Sequence, residues 1–183
     1  LTLNFNSLSH EHSLLPPIIR ANGQLYRCEK VMATWTYPIG SFEGDWPDLF
    51  IEEVHEKVQG KNIYYLANIA NSKDLFPNIA VIQSLPRYFS EKLEVIIPFF
   101  PVGTMERVQQ EGEIATAKTL MRILSATPPA RSGQTLFYIF DIHDIHERFY
   151  GSDNVLIKLE TLIPLLKKRL DGTQNLAIAF PDE

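Results

Sequence analysis

The chain is poor in the residues that announce most special chemistries. Cys28 is the sole cysteine among 183 residues. That excludes an internal disulfide and a zinc site built on thiolates, and it suits a reducing compartment. No apolar run is long enough to cross a bilayer, so no membrane partner is expected. The start, Leu1 to Arg20, carries two histidines and Pro16-Pro17 but no charged-then-apolar signal peptide pattern. Basic clusters are scarce too. Lys and Arg number 17 against 22 Asp and Glu, a formal net charge of -5. The one compact run, Lys167-Lys168-Arg169, falls late in a helical pattern, where it complements a helix C-terminus. No nucleic-acid partner is therefore expected. The chain opens without methionine and stops at Pro181-Asp182-Glu183, so a fragment of a longer protein is expected.

What is present is apolar: 45% of residues, enough for a substantial core. Four β-rich runs stand out, Asn62–Asn68, Leu93–Phe100, Thr135–Ile142 and Asn175–Phe180, with an earlier candidate at Val31–Thr36. The four are near-continuous in apolar character, as in strands covered on both faces. Between them lie helical patterns. Asp74 to Tyr88 repeats through Leu75, Ile79, Ile82 and Leu85, with Pro77 expected in the first turn and Pro86 in the last. Ile114 to Leu124 repeats through Ala117, Leu120, Met121 and Leu124. Val155 to Leu170 reads as a third helix, kinked at Pro164. Strand-helix alternation predicts an α/β fold with a parallel sheet flanked by helices on both faces. Residues 1–30 read as a poorly defined leading segment and 31–183 as one domain.

In open parallel sheets, ligands bind beyond the carboxyl ends of the strands. Three strand ends carry polar groups. Phe140-Asp141-Ile142-His143-Asp144-Ile145-His146-Glu147 opens a buried strand into carboxylates and imidazoles. Asp141 and His143 alternate in extended backbone and so project to one side; together they suit a divalent cation or a metal-bound phosphate. The competing reading is a polar strand end with Asp144 capping a helix. Pro98 to Arg107 is a Pro/Gly loop ending in an arginine, a residue suited to phosphate. Ala179-Phe180-Pro181-Asp182 again puts an acid behind a strand. His146 and Glu147, one turn on, read as surface or supporting residues. His10, His12 and His55 read as solvent-facing, Trp35 and Trp46 as packing or interface residues, and Cys28 as a small buried apolar group.

Taken in order, Pro98-Phe99-Phe100 with Arg107, Thr116-Ala117-Lys118, Asp141-Ile142-His143 with Phe149-Tyr150, and Pro181-Asp182 resemble the landmarks of the phosphoribosyl pyrophosphate synthetases, or ribose-phosphate diphosphokinases. The likeness runs from about Trp35 to Glu183. It is strongest to a divergent branch well represented in plants, with a similar stretch at Thr104–Val108 and a similar strand end. The resemblance implies the amino-terminal, phosphoribosyltransferase-like half of an enzyme that moves the diphosphoryl group of ATP to ribose 5-phosphate. It implies Mg2+ as cofactor, ATP and ribose 5-phosphate as substrates, and a homo-oligomer. A cytoplasmic location is expected, with an organelle left open. By the same resemblance, Asp141 and His143 match the magnesium- and ATP-phosphate pair, and Asp182 the acid that helps place magnesium and the ribose. Thr104, Met105, Glu106 and Arg107 match the ATP-contacting loop, and Phe42 an aromatic near the adenine of a neighbouring subunit. His143 and Asp182 would serve catalysis. The chain departs from the pattern at Thr104-Met105, commonly an arginine-glutamine pair, and at Gly44-Asp45-Trp46, usually an Asp-Gly-Glu-like run. The family's mobile catalytic loop and its phosphoribosyl-binding loop have no counterpart in these residues. Two other readings remain: a catalytically weak regulatory subunit, and a different nucleotide- or sugar-phosphate-binding module on the same architecture.

Overall fold

The structure, a computed structural model, describes residues 18–21, 24–27, 40–41, 46–51, 53–142, 153–173 and 177. Two antiparallel ladders come first: β1 (Ile18–Ala21) with β2 (Gln24–Arg27), and β3 (Gly40–Ser41) with β4 (Pro47–Asp48). A short helix, α1 (Val54–Lys57), leads into the main sheet. That sheet has four parallel strands in chain order, β5 (Asn62–Leu66), β6 (Lys92–Ile97), β7 (Thr135–Phe140) and β8 (Val155–Glu160). Helix α2 (Ser72–Ser84) connects β5 to β6, and α3 (Thr116–Ser125) connects β6 to β7.

Side chains alternate across a strand, and the burial follows. Leu93, Val95 and Ile97 of β6 are each fully buried, as are Phe137 and Ile139 of β7. They join Val81 and Ile82 of α2 and Ala117, Leu120, Met121 and Leu124 of α3 in one apolar cluster, against which Ile63, Tyr65, Ile157 and Leu159 of the outer strands pack. Each large apolar side chain buried there contributes about 1.5–3 kcal/mol. Both α2 and α3 lie on this one face, as expected for strands added in one direction by crossovers of one hand. The second face is thinner. Its cluster consists of Ile96 and Tyr138 with Leu136 and Phe140, strand residues alone. Towards the outer strands that face opens, and Leu66 is 54% and Leu156 44% exposed. The parallel α/β sheet is as the sequence predicts; among the described residues, no helix contributes to the apolar cluster on the second face.

Helix α2 starts at Ser72 because Asn71 caps it, its Oδ1 accepting from the N–H groups of Lys73 and Asp74, both at 3.0 Å. Pro77 therefore sits inside the helix rather than in its first turn. The Asn78 side chain stitches this region together. It donates to the Asp74 and Asn68 carbonyls at 2.8 and 3.0 Å and accepts from the Tyr65 hydroxyl at 2.9 Å. Helix α3 matches its expected apolar face residue for residue.

The stretch Val155 to Leu170 is not one helix. Val155–Glu160 forms the outer strand β8, and only Ile163–Leu170 is helical, as α4. The physical reason is in the residues. Val155, Ile157 and Leu159 all face the core at strand spacing, and Pro164 falls at the start of α4, where its missing N–H costs nothing. Pro164 marks a beginning, not a kink. The expected strands at Val31–Thr36 and Asn175–Phe180 lie outside the described residues.

Candidate functional site at the carboxyl edge of the sheet

Four parallel strands deliver their carboxyl ends to one edge. Ile97 pairs with Ile139, and Phe140 with Glu160, so the exits of β6, β7 and β8 are successive neighbours. Adjacent strands lie about 4.8 Å apart, which brings the Pro98 loop, Asp141 and Thr161 to one rim.

The loop after β6 is folded on itself and fastened to α3. Gly103 N–H donates to Phe100 O at 3.2 Å and Met105 N–H to Val102 O at 2.9 Å. Ala117 N–H then donates to Met105 O at 3.3 Å, and the Thr116 hydroxyl to Met105 Sδ at 3.1 Å. The sequence landmarks Thr104–Arg107 and Thr116–Lys118 are thus one physical unit. Thr104 and Met105 are exposed. Glu106 is buried, and its Oε1 lies 3.3 Å from Nε of Arg107, whose side chain is 72% exposed. The buried carboxylate anchors the inner edge of the guanidinium.

Asp141 is the first residue past β7, and its φ of 47° is left-handed, so the extended backbone expected through Asp141 ends at Phe140 and alternation no longer sets its side. Aspartate tolerates that region better than most residues, and such conformations persist only where the surroundings hold them. Here they do. Asp141 N–H donates to Glu160 O at 2.9 Å. The carboxylate accepts from the Thr161 hydroxyl at 2.8 Å and from Leu162 N–H at 3.2 Å. Thr161 is the first residue past β8, and its hydroxyl also accepts from Ile163 N–H at 3.3 Å; a single helix over Val155–Leu170 gives it no such place. His143, Asp182 and Phe42 lie outside the described residues, as does Cys28. Among the described residues, no three His, Cys, Asp or Glu side chains gather as a metal cluster. His55 and Trp46 are both exposed, and the Trp46 ring meets Phe76 edge-on at 5.1 Å.

No family model matches the chain. Individual proteins do. The chain is 44% identical over 146 residues to ribose-phosphate pyrophosphokinase 4 of Oryza sativa subsp. japonica, a match covering 78% of this chain and 45% of that one. It is 44% identical over 146 residues to the mitochondrial ribose-phosphate pyrophosphokinase 3 of Spinacia oleracea, covering 78% of this chain and 36% of the relative. With ribose-phosphate pyrophosphokinase 4 of Arabidopsis thaliana the identity is 43% over 146 residues, 78% of this chain and 43% of the relative. The chain thus spans less than half the length of these relatives. The fold is similar to that of phosphoribosylpyrophosphate synthetase from Mycobacterium smegmatis, with a TM-score of 0.58 at 15% identity, over 73% of this chain and 42% of that one.

Proposed function

We propose that this chain, which belongs to the ribose-phosphate pyrophosphokinase family, forms the nucleotide- and metal-binding half of a ribose-phosphate diphosphokinase. The observation that carries the reading is the common rim on which Arg107 and Asp141 follow neighbouring parallel strands, within the order of residues shared with the family. In the proposed reaction, the anomeric hydroxyl of ribose 5-phosphate attacks the β-phosphorus of ATP. A new bond forms between that oxygen and the β-phosphorus, the bond to the α,β-bridging oxygen breaks, and AMP leaves. Phosphoryl transfer of this kind depends on positioning and on charge neutralisation.

Arg107 is the phosphate-binding cation, held by Glu106 within the loop Thr104–Arg107. Asp141 fits a magnesium site by its chemistry. It is an exposed hard-oxygen donor, and a carboxylate has about four acceptor positions, more than Thr161 and Leu162 take up. Magnesium commonly needs only one or two protein carboxylates beside phosphate and water. Asp141, His143 and Asp182 are the proposed holders, with His143 and Asp182 also serving the reaction. When bound, the ion supplies charge neutralisation on the phosphates. Phe42 is assigned to the adenine of a neighbouring subunit in a homo-oligomer, and the location is cytoplasmic or organellar. Among the described residues no helix is long and apolar enough to cross a membrane.

Product analysis on the whole protein tests this reading. AMP and phosphoribosyl pyrophosphate should form together, only with ATP, Mg2+ and ribose 5-phosphate all present. ATP binding without turnover would move the assignment to a regulatory subunit, and ADP as product would mean a different sugar-phosphate enzyme.

A further inference from the structure

We propose that Thr161 is a positioning residue, which aims the Asp141 carboxylate and thereby sets the affinity of the site for metal-bound nucleotide. The inference rests on the reading that Asp141 faces metal-bound phosphates, and it adds a residue twenty positions away that no strand-end motif contains. A carboxylate can only accept, so the 2.8 Å contact has the Thr161 hydroxyl as donor to Asp141 Oδ1. That hydroxyl also accepts from Ile163 N–H at 3.3 Å. A hydroxyl has one proton to give, so the bond from the helix leaves its direction fixed towards Asp141. Leu162 N–H holds the other carboxylate oxygen at 3.2 Å. The backbone is pinned as well, by Asp141 N–H on Glu160 O at 2.9 Å and by the β7–β8 pairing of Phe140 with Glu160. The left-handed φ of 47° at Asp141 shows that this placement runs against ordinary backbone preference. Without the Thr161 hydroxyl, the carboxylate keeps only the longer bonds from Leu162 N–H, at 3.2 and 3.4 Å, and is held less firmly in its χ angles. A metal-bound phosphate would then meet a carboxylate that must be reoriented on each binding event. Thr161 and Asp141 are both exposed, so removing the hydroxyl leaves the core untouched.

The test uses the whole protein and three variants, Thr161→Val, Thr161→Ser and Asp141→Asn. Each is titrated with Mn2+ in the presence of ATP by electron paramagnetic resonance, assayed for turnover against Mg2+ concentration, and melted. Thr161→Val is expected to weaken Mn2+ binding and raise the half-saturating Mg2+ about tenfold, with Thr161→Ser within twofold of the parent protein. If Thr161→Val fails to fold, Thr161→Ala removes the same hydroxyl with less bulk and carries the same expectation. A melting temperature that falls while metal binding stays unchanged means Thr161 only steadies the entry to α4 through Ile163 N–H, and overturns the proposal. Weakened metal binding in Asp141→Asn but not in Thr161→Val also overturns it and leaves the site reading standing. Unchanged metal binding in Asp141→Asn removes Asp141 from the site, and the proposal falls with that reading.

Discussion

Thr116 donates its hydroxyl to the sulfur of Met105 at 3.1 Å, joining the loop that follows β6 to the first residue of α3. The neighbouring Ala117 N–H on the Met105 carbonyl makes this a two-point attachment. A loop meant to receive phosphate gains affinity from being held before the ligand arrives. Thr116→Val keeps the shape and deletes the donor. We expect a rise of a few fold in KM for ATP with little change in kcat or melting temperature. Steady-state kinetics on the whole protein decide it, and an unchanged KM would make the contact incidental.

Arg107 and Glu106 should separate by exposure. Arg107 is mostly solvent-exposed, so Arg107→Ala should change stability by no more than about 0.5 kcal/mol. If Arg107 is the phosphate-binding cation proposed above, its loss should raise KM for ATP at least tenfold. Glu106→Gln keeps the size and removes the charge that holds Nε of Arg107. Its effect on KM should follow the same direction and be smaller. A Glu106→Gln variant more damaging to ATP binding than Arg107→Ala would show that Glu106 meets the ligand itself.

The two sheet faces should differ sharply in energetic weight. Phe137 is 1% exposed beneath the α2 and α3 layer, and Phe137→Ala should cost about 3–5 kcal/mol. Leu156 points to the opposite side and is 44% exposed, and Leu156→Ala should cost less than about 1 kcal/mol. Urea unfolding of the two variants measures both values. Comparable losses would mean that the second face is packed as tightly as the first.

The strands β6 and β7 and the helix α3 were legible because their signals are local. Leu93 to Phe100 and Thr135 to Ile142 are near-continuous apolar runs, and Ala117, Leu120, Met121 and Leu124 recur at helical spacing. Pro77 and Pro164 were misread in opposite senses, one placed at a helix start and one inside a helix. Asn71 caps α2 through its side chain, whereas α4 starts at Ile163 with Pro164 in its first turn and no side-chain cap, and such boundaries are recognised only when the helix limits are known. β8 was missed because its apolar residues suit either period over so few positions. At the site, Asp141 could be read from its place after an apolar strand. Its dependence on Thr161 could not, since it follows from the lateral pairing of β7 with β8 rather than from any local pattern.

The carboxyl edge of this sheet is proposed to bind metal and ATP phosphates for diphosphoryl transfer. The most direct test of that proposal is ribose 5-phosphate-dependent AMP formation by the whole protein, comparing His143→Ala with His146→Ala at saturating Mg2+, ATP and ribose 5-phosphate. His143 follows Asp141 by two residues at the proposed site, whereas His146 is three residues further along the sequence. The account predicts that His143→Ala loses turnover by orders of magnitude with its melting temperature preserved, and that His146→Ala stays within a few fold of the parent protein. Near-normal turnover in His143→Ala, or a greater loss in His146→Ala, would contradict it.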